Sequence, residues 1–159
     1  MTMTHAKPAV FLDTNVILRY NIIETPEYPQ VRSAVDRLLN NGQQLWISRQ
    51  IIREFCTVLT RPQTFLKPLT RAEVAARAKT LLSSFWVADE TRPVTEKLLD
   101  LLETIPMGGK QVHDANIVAT MQAYNLTHLF TLNPVDFVRF ANLITVVTLE
   151  ELLKPPLPG

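Results

Sequence analysis

Residues Ala9–Tyr20 read AVFLDTNVILRY. An apolar run, Ala9 to Leu12, ends on Asp13-Thr14-Asn15, and a second apolar segment, Val16 to Tyr20, follows at once. The first run has the length of a strand buried on both faces. Thr and Asn are poor inside a helix and good at its start. The stretch therefore puts Asp13 at the carboxyl end of a strand, where the chain turns into a helix. In open parallel sheets, ligands bind in the crevice outside those strand ends. A carboxylate ahead of the positive end of a helix can be kept ionised there and held ready for a cation. It can equally serve only to cap the helix, and the stretch alone does not choose.

Outward from this point the same alternation repeats. Leu45–Ile47, Phe85–Ala88, Leu129–Leu132 and Ile144–Val147 are the expected further strands, with Trp46 and Trp86 in the strand core. Thr25 and Pro26 are expected to open a helix that runs to about Asn40 and ends at Asn41-Gly42. Ser48 caps a helix over Arg49–Leu59, and Thr70-Arg71-Ala72-Glu73 reads as a capping box for a helix to about Ser83. Further helices are expected over roughly Val94–Glu103 and from near His113 to near Tyr124. Pro106-Met107-Gly108-Gly109 between them reads as a flexible loop. A short helical turn follows Asn133-Pro134, and Thr148 to Glu151 caps a last short helix. Strands alternating with helices demand a mostly parallel sheet covered on both faces. The expected fold is three-layer α/β/α around five strands. One domain spans 8–153, with flexible ends at 1–7 and at the proline-rich 154–159.

The 159 residues are 47% hydrophobic and 19% charged, which fits a globular core. A net charge of +1 excludes a strongly basic nucleic-acid coat and leaves room for a local basic patch. Cys56 is the only cysteine, so neither an intrachain disulfide nor a cysteine-rich zinc site can form. That suits a reducing cytosol. Met1–Pro8 lacks the apolar core of a signal peptide, and no apolar run is long enough to span a membrane. A cytoplasmic location is expected.

Three more carboxylates stand where packing alone does not call for them. Glu54 borders the apolar face of its helix, between Ile51 and Val58. Asp114 shares a buried stripe with Ile117, Val118 and Met121. Burying a lone carboxylate costs several kcal/mol unless it is paired or binds metal. Asp136 follows the fourth strand. Each has a plain structural account as well. Glu54 can pair with Arg53 or Arg49 at the surface. Asp114 can sit in a first turn, where acids are favoured. Asn133 and Asp136 can be an N-cap and its third-position partner around Pro134. Hard oxygen ligands converging at one sheet end suit Mg²⁺ or Mn²⁺ rather than zinc.

The order of motifs is FLDTN (Phe11–Asn15), REF (Arg53–Phe55), HDANIVA (His113–Ala119) and TLNPVDF (Thr131–Phe137). It resembles the PIN-domain nucleases, in particular the VapC-type toxin ribonucleases, over about Val10 to Leu152. The resemblance implies metal-dependent hydrolysis of RNA. It carries the family's first acid onto Asp13, its helical glutamate onto Glu54 and its third acid onto Asp114. Asn133 stands where some relatives carry a fourth acid, and Asp136 is the carboxylate available instead. Thr14 and Asn15 match positions that support the ligands. Arg49, Arg53 and Lys110 are candidate phosphate contacts, although such residues more often form only a solvated face. The resemblance also implies a homodimer and a small antitoxin partner. Two other readings compete. One is a PIN-like module that binds RNA or protein without cleaving it. The other is a haloacid-dehalogenase-type phosphatase with Asp13 as nucleophile, which lacks its general acid because Asn15 stands two residues on.

Overall fold

A computed structural model describes residues 6–155. The expected flexible ends therefore fall largely outside the described residues. The elements in chain order are β1 (Val10–Leu12), α1 (Thr14–Asn21), α2 (Tyr28–Asn40), β2 (Leu45–Ser48), α3 (Arg49–Leu59) and α4 (Arg71–Ser84). They continue with β3 (Trp86–Ala88), α5 (Arg92–Thr104), α6 (Gln111–Ala123), β4 (His128–Phe130), a 3-10 helix (Pro134–Phe140), β5 (Thr145–Val147) and α7 (Leu149–Leu153).

The sheet runs β3-β2-β1-β4-β5, and all four pairings are parallel. The expected fold class is what the chain adopts, with five strands and every pairing parallel rather than most of them. Right-handed crossovers explain the layers. The steps from β1 to β2 to β3 move one way across the sheet, so α1–α4 fall on one face. The step from β3 to β4 reverses direction, so α5 and α6 fall on the other. The 3-10 helix then packs against α6, and α7 returns against α2. β1 lies at the reversal, with β2 on one side and β4 on the other. This is the switch point where the two neighbouring connections leave in opposite directions and a crevice opens. The buried centre includes Phe11, Leu12, Ile47, Leu129 and Phe130, all inaccessible to solvent.

Caps place most helix starts where the sequence puts them. The Ser48 hydroxyl accepts from the Ile51 amide, and full capping boxes form at Thr70/Glu73 and Thr148/Glu151. Gly42, at φ +76°, follows α2. Three details differ. Thr25 does not cap α2; its hydroxyl donates to the Ile22 carbonyl, and Pro29 rather than Pro26 occupies the first turn. α6 begins at Gln111 instead of near His113, because Gly108–Lys110 already turn, with the Gln111 and Val112 amides donating to the Gly108 and Gly109 carbonyls. Trp86 is not core. It lies on the edge strand, is 55% exposed, and stacks on Trp46 with centroids 5.6 Å apart.

Candidate active site

Asp13 is the residue immediately after β1. Its amide donates to the Phe130 carbonyl at 3.0 Å, which extends the β1–β4 pairing by one step and pins the backbone at the switch point. One carboxylate oxygen accepts from the Thr14 amide at 2.7 Å, and the other accepts from the Thr131 hydroxyl at 2.8 Å. Asp13 thus caps α1 and also points a charge into the crevice. It is only 8% exposed. Its pKa is raised to about 6, chiefly by burial and further by the charges of Glu54 and Asp136, against the pull of the hydrogen bonds from Thr131 and Thr14.

Asn15 stitches α1 to the segment after β4. Its side-chain oxygen accepts from the Leu132 amide at 3.1 Å, and its Nδ2 donates to the Thr131 hydroxyl at 3.3 Å. The Asn133 amide also donates to that hydroxyl, at 3.1 Å. Asn133 occupies the N-cap position of the 3-10 helix, but its side chain makes no capping bond. Thr131, fully buried, is therefore the hub between the two strand ends.

Glu54 enters from α3. The Thr14 hydroxyl donates a short hydrogen bond to its Oε2, and Gln50 Nε2 donates to its Oε1 at 3.0 Å. It pairs with neither Arg53 nor Arg49. Those guanidiniums are taken by Glu90 and Asp89, at 2.9 and 2.8 Å. Asp114 lies in the first turn of α6, half-buried. Its pKa is raised to about 6, first by burial and then by the charges of Asp13, Asp136 and Glu54, against a smaller opposing pull from Arg139. Asp136, on the 3-10 helix, is exposed.

Asp13 and Asp114 thus feel the charges of the other acids through space, and among the described residues none of the four is in an ion pair. Four acids around one crevice with no ion-pair partner are costly, and Arg139 offsets this only in part, at Asp114. Among the described residues, no three His, Cys, Asp or Glu side chains are gathered closely enough to hold one ion between them. Mg²⁺ needs less: one or two carboxylates, with waters filling the rest of its shell. The donor set is all oxygen and anionic, so the residues present fit a hard, largely hydrated divalent ion.

The PIN-domain profile matches residues 10–143, most of the chain, including Asp13, Glu54, Asp114 and Asp136. The chain belongs to the PIN-domain family. No curated protein matches it in sequence. Solved structures resemble this PIN domain in fold. One is VapC20 of Mycobacterium tuberculosis, described as a sarcin–ricin-loop-cleaving toxin. It has 16% identity and a TM-score of 0.62 over 86% of this chain and 97% of that one. Another is VapBC2 of Rickettsia felis bound to a fragment of its promoter DNA, with 21% identity and a TM-score of 0.61 over 88% and 98%. A third is a toxin–antitoxin complex from Klebsiella pneumoniae, with 22% identity and a TM-score of 0.58 over 89% and 97%.

Within this PIN domain, Lys110 is exposed at the start of α6. Sequence reading missed three residues at the site. Thr131 opens the TLNPVDF motif but looks there like the end of a strand. Gln50 stands four residues before Glu54, a helical neighbour spacing that points at the glutamate. Asn116 stands two residues after Asp114, and nothing in its spacing shows that it reaches α3.

Proposed function

We propose that this PIN domain is a divalent-metal-dependent endoribonuclease and the toxin of a toxin–antitoxin pair. The observation that carries the reading is the group of four acids at the β1/β4 switch point, none of them in an ion pair among the described residues, with Asp13 and Asp114 repelled by the others. Asp13 and Asp114 are the main metal ligands, and Glu54 binds directly or through water. Asp136 completes the set or orients the nucleophile, while Asn133 stays in support. Thr14, Asn15 and Thr131 hold Asp13 and Glu54 in place. Mg²⁺ or Mn²⁺ bound there supplies charge neutralisation at a phosphate and a water of lowered pKa. Lys110, exposed at the start of α6 four residues before Asp114, is suited to an RNA phosphate; Arg49 and Arg53 can serve only by leaving Asp89 and Glu90.

The described likeness to a sarcin–ricin-loop-cleaving toxin supports RNA as the substrate, and the likeness to a toxin–antitoxin complex supports a small antitoxin partner. α2 and α4 are the candidate contact surfaces for that partner or for a second copy in a homodimer. Among the described residues no helix is long and apolar enough to cross a membrane, and we place the protein in the cytoplasm. The test is cleavage of a structured RNA with Mn²⁺ supplied, comparing the parent with Asp13→Asn and Asp114→Asn. Loss of cleavage in both is expected. A parent that binds RNA without cutting it leaves the binding-module reading standing.

A further inference from the structure

Gln50 is a glutamine where packing alone asks for an apolar residue. It sits in α3 beside the buried Ser48 and Ile51, is itself only 4% exposed, and carries an amide that costs free energy to bury unless its hydrogen bonds are made. Both of its Nε2 hydrogens are used. One goes to Glu54 Oε1 and one to the His113 carbonyl, each at 3.0 Å. Its Oε1 accepts from Asn116 Nδ2 at 2.7 Å. His113 is the residue before Asp114, so one amide nitrogen spans the glutamate of α3 and the backbone that carries the aspartate of α6. The carboxylate and the carbonyl are pure acceptors, and this dictates which end of the amide is nitrogen. Asn116 is oriented the same way, since it also donates to Glu90 Oε1 at 3.4 Å, and Arg53 holds Glu90 at 2.9 and 3.1 Å. Each donation into an amide oxygen polarises the next donor along the line.

We propose that Gln50 is a positioning residue that sets the Glu54 carboxylate relative to Asp114, with Asn116 holding its amide in register. The proposal rests on the metal-dependent nuclease reading. Glu54 has one oxygen held from α1 by Thr14 and the other from its own helix by Gln50, so its plane is fixed on both sides. Freed of Gln50, the carboxylate can swing about Thr14, and α3 loses its polar tie to α6 below Asp114. Residues that orient metal ligands in this way typically change metal affinity by about 10- to 100-fold when removed.

The experiment uses the full chain as Gln50→Met, which keeps the length and removes the amide, with Asn116→Ala, Glu54→Ala and the Gln50→Met/Glu54→Ala double variant. Mn²⁺ alone is titrated by electron paramagnetic resonance, and kcat and KM are measured on RNA. Gln50→Met is expected to weaken Mn²⁺ binding about tenfold and to lower kcat with KM little changed. Adding it to Glu54→Ala is expected to change Mn²⁺ affinity less than about twofold, because its effect passes through Glu54. Mn²⁺ affinity within about threefold of the parent, or an undiminished loss in the Glu54→Ala background, overturns the proposal. If Gln50→Met does not fold, Asn116→Ala decides: weaker Mn²⁺ binding with a native melting curve supports it, and unchanged binding overturns it. A parent chain that neither binds Mn²⁺ nor cleaves RNA brings down the nuclease reading and this proposal together. A competent parent with a silent Gln50→Met sinks the positioning role alone.

Discussion

Asp13→Asn should make the metal-free protein more stable at neutral pH while destroying its chemistry. Asp13 has a folded pKa of about 6, against 3.8 for the free side chain. The folded state therefore holds the proton more tightly, and the stability linked to it is complete below pH 3.8. That stability is lost as pH rises through about 6. The difference of about two pH units, at about 1.4 kcal/mol each, is a penalty of about 3 kcal/mol at pH 7.5. Asparagine escapes it but not entirely. Its oxygen can still accept from the Thr14 amide, but its nitrogen then faces the Thr131 hydroxyl, which already accepts from Asn133 and Asn15. That mismatch costs about 1–2 kcal/mol. The net gain is about 1–2 kcal/mol, or about 2–8 °C in melting temperature for a chain of this length. Melting curves in EDTA from pH 4 to 7.5 give the answer. The gain should shrink towards acid and change sign between about pH 4.5 and 5.5, where the remaining penalty equals the mismatch. A variant that melts below the parent at pH 7.5, or by the same margin at every pH, refutes the electrostatic account.

Thr131→Val keeps the shape of the hub and removes its hydroxyl. It should destabilise the fold by about 1–3 kcal/mol in urea unfolding, since Asp13, Asn133 and Asn15 all lose a partner. Adding Mg²⁺ at 100 times its dissociation constant should stabilise the parent by about 2.7 kcal/mol. A thermal-shift titration should show no such gain for Asp114→Asn. Lys110→Ala should leave the melting temperature unchanged and weaken RNA binding. It should also lower the slope of log affinity against log salt by about 0.7, the share of one phosphate contact on a single strand.

The elements visible in the sequence were those decided by short-range physics. Ser48, Thr70 and Thr148 announce helix starts through hydrogen bonds that span three residues, and the structure contains each of them. The alternation of strands and helices, read with crossover handedness, leads to the parallel sheet. Long-range choices were not visible. Trp86 has the composition of a strand core, but its strand lies at the sheet edge, and strand order is not written in local pattern. Thr25 carries the right side chain for a cap and spends it on the Ile22 carbonyl, a choice set by the turn before α2. At the site, acids after strand ends stood out because carboxylates are costly to bury. The neutral residues that hold them did not. Gln50, Asn116 and Thr131 are unremarkable polar residues until the fold brings partners 118, 63 or 66 positions away within reach.

The seam between β1 and β4 also sets a clock. Asp13 is synthesised well before its partner, for the hydroxyl that steadies it belongs to a residue 118 positions later. A parallel pairing over that distance must wait for the intervening helices and is slow to form. A nascent chain that stops before Thr131 exposes its first acid to water as an ordinary, readily ionised carboxylate with no crevice around it. Whatever chemistry the finished crevice performs, a product truncated before Thr131 lacks it, and activity waits for that residue to be made.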